Sequence, residues 1–370
     1  MKVLFVANDP GLLVEGSNVY GRMQTYAATI GTLHIVTASK EATEQHEGSL
    51  HVYGVACTKL SRVRALAQKA RELIKQEGIE VVSAQDPFEH GLAALRATRR
   101  TNVKLHIQVH TDFLSPWFVR ASPVAVSLLN WIRVRIAGRV LPHASGIRVV
   151  SERIRSSLIS RYGARILEPH VIPIHVASVV PGPTPLPAHS FSFALITVGR
   201  IEPEKRIKDI ISALSMVRDT CPQVGLIVVG KGTELAQLQK QVALLHLEDR
   251  VVFTNDWRTD AWGLVRSSQG YIQASAYEGY GRTLIEAALA GVPLITTDVG
   301  IVGEVFIGKG DILVAPVNSP ESLAIHIRTL VRHADVAESL GRAGEQAARR
   351  HLEKVDASAR AIAEDLAKLL

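Results

Sequence analysis

Two glutamates eight positions apart flank a glycine-bracketed turn in the stretch Glu278-Gly279-Tyr280-Gly281-Arg282-Thr283-Leu284-Ile285-Glu286. Gly279 and Gly281 let the backbone of that turn come close to a ligand. Thr283 and Glu286 read as a capping box opening an apolar helix, which stops at Gly291 with Pro293 just beyond. The free N–H groups and positive dipole end of such a helix attract an anion, and here those groups belong to Arg282, Thr283 and Leu284. Carboxylates that grasp hydroxyls beside an anion hole suit a ligand carrying both hydroxyls and phosphates, such as a nucleotide diphosphate sugar. A plainer use of the same residues is open too, with Glu286 only a helix cap and Glu278 only a solvated loop charge.

A second cluster is cationic. The apolar run 193–198 reads as a strand and ends at Gly199-Arg200-Ile201-Glu202-Pro203-Glu204-Lys205, where Pro203 marks a helix start. Arg200 and Lys205 thus stand on a loop at a strand's carboxyl end. A planar guanidinium can grip two phosphate oxygens, and an ammonium adds a compact charge. His110 ends a strand at 105–109, and Asp86 ends another at 81–84. Gly16 and Ser17 precede a helix containing Tyr20 and Tyr26. No Gly-x-Gly-x-x-Gly follows the first strand, so a dinucleotide-binding reading loses its main support.

The elements that must position these residues alternate. Apolar strands at 2–7, 33–37, 52–54, 81–84, 105–109, 146–150 and 168–172 are separated by helical stretches such as 61–76. Residues 176–189, rich in proline, read as a linker. A second unit follows, with strands at 193–198, 224–229, 250–254, 270–274 and 293–297 and helices at 207–217 and 233–245. Residues 355–370 read as a closing helix. Such alternation argues for α/β domains with parallel sheets, and 370 residues suit two of them. Ligands of doubly wound domains bind at the carboxyl ends of the strands.

Cys57 and Cys221 lie far apart without metal-type spacing and point to a reducing compartment. The apolar start is short for a signal peptide, and no apolar run reaches the roughly 18 residues of a membrane span. A cytoplasmic protein is expected. The net charge of +7 would suit phosphorylated substrates or anionic lipid. Nucleic acid is not expected, because no recognition motif appears. Residues 124–141 mix apolar side chains with Arg133, Arg135 and Arg139, as an interfacial helix does, although a buried helix with arginines at its rim would also.

The paired acids, the Glu-Gly-Tyr-Gly loop and the helix Ile285-Glu286-Ala287-Ala288-Leu289-Ala290-Gly291-Val292-Pro293 resemble the acid-x7-acid signature of retaining glycosyltransferases of family 4. The likeness spans nearly the whole chain and is strongest over 193–316. It implies the GT-B fold: two Rossmann-like, doubly wound domains facing across a cleft. Residues 1–177 would bind the acceptor, 190–352 the nucleotide sugar, and the helix 353–370 would return to the first domain. It implies a hexosyltransferase that moves a sugar from a nucleotide diphosphate sugar to a glycan, lipid-linked or small-molecule acceptor. An epimerase or hydrolase of the same fold is the alternative. Arg200 and Lys205 resemble the family's diphosphate clamp, with Arg206 standing where a glycine is frequent. Glu278 would hold sugar hydroxyls, Glu286 the ribose diol, and His110 a hydroxyl of the donor sugar. Gly16, Gly279, Tyr280, Gly281, Arg282, Thr283 and Leu284 complete the expected donor-binding set. No Asp-x-Asp pair occurs, so neither metal nor cofactor is expected. Peripheral contact with the inner face of the membrane is expected through the first domain.

Overall fold

The computed structural model describes residues 1–370 except 121–123, 257–259, 309 and 356–358. The last of these gaps falls within the expected closing helix, so that part of the expectation lies outside the described residues. The chain divides into two compact units. The first comprises Met1–Leu114, Leu128–Pro173 and Asp356–Leu370; the second comprises Ser115–Ser127 and Ile174–Val355.

The first unit is built on an 8-stranded sheet. Its strands are β1 (Lys2–Ala7), β2 (Thr32–Ser39), β3 (Thr43–Glu47), β4 (Leu50–Ala56), β5 (Val81–Ala84), β6 (Lys104–Val109), β7 (Gly146–Val149) and β8 (His170–Val171). Their spatial order is β3-β4-β2-β1-β5-β6-β7-β8, and all pairings are parallel except β3 with β4. Central strands such as β1 and β5 are buried and largely apolar, Lys2 and Ser83 apart, as strands covered by helices on both faces are. The edge strand β3 is Thr-Glu-Gln-His-Glu and largely exposed, a charged rim that discourages pairing with another chain.

The second unit carries a 6-stranded sheet of β9 (Phe193–Val198), β10 (Val224–Val229), β11 (Val251–Phe253), β12 (Gly270–Ile272), β13 (Leu294–Thr297) and β14 (Leu313–Ala315). The order is β11-β10-β9-β12-β13-β14, entirely parallel. From β9 the chain winds outward to β10 and β11, then returns to β12 on the other side. The carboxyl ends of β9 and β12 therefore border the point where strand order reverses, where such sheets open a crevice. Leu195, Leu226, Ile272 and Ile295 of the sheet and Ile211 and Leu214 of the helix Ile207–Val217 belong to one buried core.

The last helix, Ala359–Ala367, packs into the first unit through Ile362 and Leu366, which join the core of β1 and β2. Asp365 fixes its register. One carboxylate oxygen lies 3.1 Å from His106 Nε2 on β6, and the other lies 2.5 Å from His170 Nδ1 on β8. Burial would raise the Asp365 pKa, but the two imidazole hydrogen bonds outweigh it and leave it lowered. Asp365→Ala strands the buried His106 nitrogen, so we expect a loss of about 1–3 kcal/mol in urea unfolding, with faster amide exchange in 359–367.

Candidate functional site

In the second unit the loops after β9 and β12 meet. Residues 203–205 form a single 3-10 turn after β9, and Lys205 ends it. Its Nζ donates to Glu278 Oε1 at 2.5 Å, and Ser275 Oγ donates to the same oxygen at 2.8 Å. The two loops are also joined through the backbone: Ala276 N donates to Glu204 O at 2.7 Å. Thr297 Oγ1, at the end of β13, holds the Ser275 carbonyl at 2.6 Å. Gly300 abuts the opposite side of the Glu278 loop, where a Cβ would lie 2.5 Å from the Tyr280 carbonyl oxygen, and its φ of +59° favours glycine. A small cavity opens here, lined by Thr197, Gly199, Arg200, Lys205, Gln273 and Ser275.

Three cations in this region each meet a carboxylate. Besides Lys205 with Glu278, Arg200 Nη2 donates to Glu204 at 2.8 Å, and Arg282 Nε donates to Glu286 at 2.8 Å. Arg200 is the most exposed of the three. Burial raises the Glu286 pKa, with Arg282 opposing the shift. A diphosphate entering this ring of charge would compete with carboxylates for the same cations.

The signature helix spans Arg282–Leu289, and its start differs from the capping box expected from the sequence. Gly281, at φ +90°, is the cap and supplies no side chain. Thr283 turns its hydroxyl to Gln273 Oε1 at 3.0 Å, and Glu286 pairs with Arg282 instead of reaching back to the cap. The Leu284 N–H is spent on the Gly281 carbonyl at 2.9 Å, and its side chain is buried, so it is not a free donor. Helix geometry leaves the amides of Arg282 and Thr283 without intrahelical partners. Tyr280 turns its side chain inward. Its ring is buried and its hydroxyl lies 2.7 Å from His351 Nε2, because the turn drives it into the core. Gly279 lies in the same turn, between Glu278 and Tyr280.

Arg206 adopts φ 48°, ψ 39°, the left-handed conformation that glycine takes without strain. Compensation comes from its side chain. The guanidinium donates to both oxygens of Asp209, at 2.6 and 3.0 Å, bonds Asn318 Oδ1 and lies 5.4 Å from the Trp117 ring centre. These contacts hold an arginine in a backbone conformation that favours glycine. Arg206→Gly should relieve the backbone yet leave the buried Asp209 uncompensated, so we expect a net loss of about 2–4 kcal/mol in urea unfolding.

The other expected residues lie in the first unit. His110 follows β6, and its Nε2 lies 3.0 Å from Gln108 Oε1. That oxygen also accepts from Arg148 Nη1 at 2.8 Å, so the His110 nitrogen facing it must carry the proton. Gln108 Nε2 donates to Ser83 Oγ at 3.0 Å, and Ser83 Oγ meets His106 Nδ1 at 2.8 Å. One chain of hydrogen bonds thus runs from His110 to Asp365. Burial, and then the nearby Arg148 charge, push the His110 pKa down to about 3. Gly16 has φ +75° with open space where a Cβ would point, and Ser17 caps the helix Asn18–Ile30 by accepting from Tyr20 N at 3.0 Å. Asp86 accepts from Phe88 N at 2.7 Å and His90 N at 3.3 Å and also bonds the His90 ring, so it orders the start of the helix Glu89–Thr98.

Residues 190–347 match the family model for glycosyl transferases group 1, and residues 31–176 match that for glycosyltransferase family 4. The chain belongs to the family 4 glycosyltransferases. It is 32% identical over 154 residues to a glycogen synthase of Mycobacterium tuberculosis, a match covering 41% of this chain and 37% of the relative. It is 25% identical over 242 residues to an alpha-monoglucosyldiacylglycerol synthase of Streptococcus pneumoniae, covering 61% and 54% respectively. These matches thus span about a third to a half of the relatives' length. Among solved structures, sucrose-phosphate synthase from Thermosynechococcus elongatus superposes with a TM-score of 0.78 at 17% identity, covering 100% of this chain and 98% of that one. An Anabaena protein in complex with UDP-glucose gives 0.73 at 18% identity, with the same coverage. The fold is GT-B.

Burial lowers the pKa of His34 to about 4, that of His110 to about 3, and that of His106 as well. Their unfolded values lie near 6.5, so between the folded and unfolded values the unfolded chain binds more protons. Stability should therefore fall as pH drops from about 6.5, read as a declining urea midpoint, and His110→Asn should flatten part of that slope.

Proposed function

We propose that this enzyme is a retaining, metal-independent hexosyltransferase. It takes a sugar from a nucleotide diphosphate sugar and passes it to a glycan, lipid-linked or small-molecule acceptor. The observation that carries the proposal is the Lys205–Glu278 contact at the carboxyl ends of β9 and β12. There a cation suited to phosphate touches a carboxylate suited to sugar hydroxyls.

The difficult step is departure of a charged diphosphate as the sugar becomes oxocarbenium-like. Fixed positive charge aimed at the leaving group lowers that barrier. Lys205 and Arg200 hold the diphosphate together with the first-turn amides of Arg282 and Thr283. Glu278 accepts hydrogen bonds from sugar hydroxyls, oriented by Ser275. Glu286 accepts from the ribose diol once Arg282 turns toward phosphate. His110, kept neutral, hydrogen-bonds a sugar hydroxyl. The acceptor attacks from the face the diphosphate leaves, and a phosphate oxygen takes its proton. Acceptor binding is assigned to residues 1–177, donor binding to 190–352, and a structural role in the first domain to 353–370. Relatives named as synthases support transfer over epimerisation or hydrolysis. The Anabaena structure makes UDP-glucose the first donor to try.

Among the described residues, no helix is long and apolar enough to cross a membrane, and no cluster of three or more His, Cys, Asp or Glu is placed to hold a metal ion. We place the enzyme in the cytoplasm, in peripheral contact with the inner membrane face. Nucleic acid is not a partner in this reading.

Incubation with UDP-, GDP- and ADP-sugars and cell-envelope acceptors tests the proposal, with product anomeric configuration read by NMR and activity retained in EDTA. Glu278→Gln should lower kcat by about 100- to 1000-fold with little change in unfolding midpoint. Full activity in that variant overturns the assignment. Lys205→Ala should weaken nucleoside diphosphate binding by about 10- to 100-fold in calorimetry.

A further inference from the structure

The helix Val124–Val140 carries more exposed apolar surface than its neighbours. Leu128, Leu129, Trp131 and Ile132 are between 41% and 60% exposed. Leu128, Ile132, Arg135 and Arg139 recur at steps of four, three and four, so they share one face of the helix. That face is aliphatic toward its amino end and basic toward its carboxyl end. Arg135 stacks 4.4 Å from the Trp131 ring centre.

Beside this face lies an open groove of 840 Å³, walled by Trp131, Arg135, Arg139, Arg161, Tyr162 and Arg165. Arg161 comes from the helix Glu152–Tyr162, and Arg165 from the turn that follows it. Among the described residues, no acidic one lines the groove. Among the described residues none of its four arginines has a carboxylate within 4.0 Å, whereas Arg133 pairs with Glu89, and Arg155 with Glu152 and Glu168.

We infer that this face is a docking surface for an anionic phospholipid bilayer. Guanidinium groups meet lipid phosphates bidentately, and the aliphatic side chains with Trp131 enter the boundary between headgroups and acyl chains. The exposed Leu128, Leu129 and Ile132 favour lipid over nucleic acid, since aliphatic side chains gain nothing against a phosphate backbone. The biological meaning rests on the reading of an enzyme working at the membrane face; the surface itself does not depend on the transfer reaction.

The test is flotation of the full chain with phosphatidylcholine vesicles with and without phosphatidylglycerol. Binding should require phosphatidylglycerol, and added salt should weaken it. The combined variant Arg135→Ala, Arg161→Ala, Arg165→Ala should lower partitioning by about 100-fold. Leu128→Ser with Ile132→Ser should weaken it while every charge remains. Circular dichroism checks folding, and calorimetric donor binding should be unchanged in both variants. Equal binding to both vesicle types, no binding, or an RNA oligonucleotide outcompeting vesicles overturns the inference. Transfer to a soluble acceptor without vesicle binding would sink this surface and leave the proposed activity standing; the converse would do the opposite.

Discussion

Parallel pairing of β9 with both β10 and β12 is the constraint on which the site depends. Gly270 and Tyr271 lie in register with Leu195 and Ile196, so the two strands finish side by side at one edge of the sheet. The chain after each must turn away there, and the turns carry Lys205 and Glu278. Their contact at 2.5 Å is backed by the Ala276–Glu204 backbone bond and by Ser275. Anion and hydroxyl chemistry end up adjacent because the sheet has nowhere else to put those loops.

Much of this was legible because buried parallel strands are written in plain apolar letters. Lys2–Ala7, Val81–Ala84, Phe193–Val198 and Val224–Val229 run with the limits their composition suggests. Strand β3 escaped notice because an exposed antiparallel edge is polar, and β14 because three residues show no period. The two acids and the basic loop were visible as a spacing. Their supports were not: Ser275, Gln273 and Gly300 act through contacts that no local pattern encodes.

The start of the signature helix shows how tertiary partners override a local rule. Ser/Thr-x-x-Glu predicts a reciprocal cap, yet Gln273 draws the Thr283 hydroxyl away and Arg282 draws Glu286. Arg206 makes the converse point. Its identity looked like a departure from the usual glycine, and only the bonds to Asp209 and Asn318 explain how it holds a left-handed backbone.

The bridge from Asp365 to His106 and His170 bears on how the protein can be dissected. The first unit is discontinuous in sequence, and its third piece follows the whole of the second. Expressing 1–173 alone would bare the apolar bed of Ile362 and Leu366 and leave His106 Nε2 without its carboxylate partner. A workable fragment would splice the closing helix back on through a short linker.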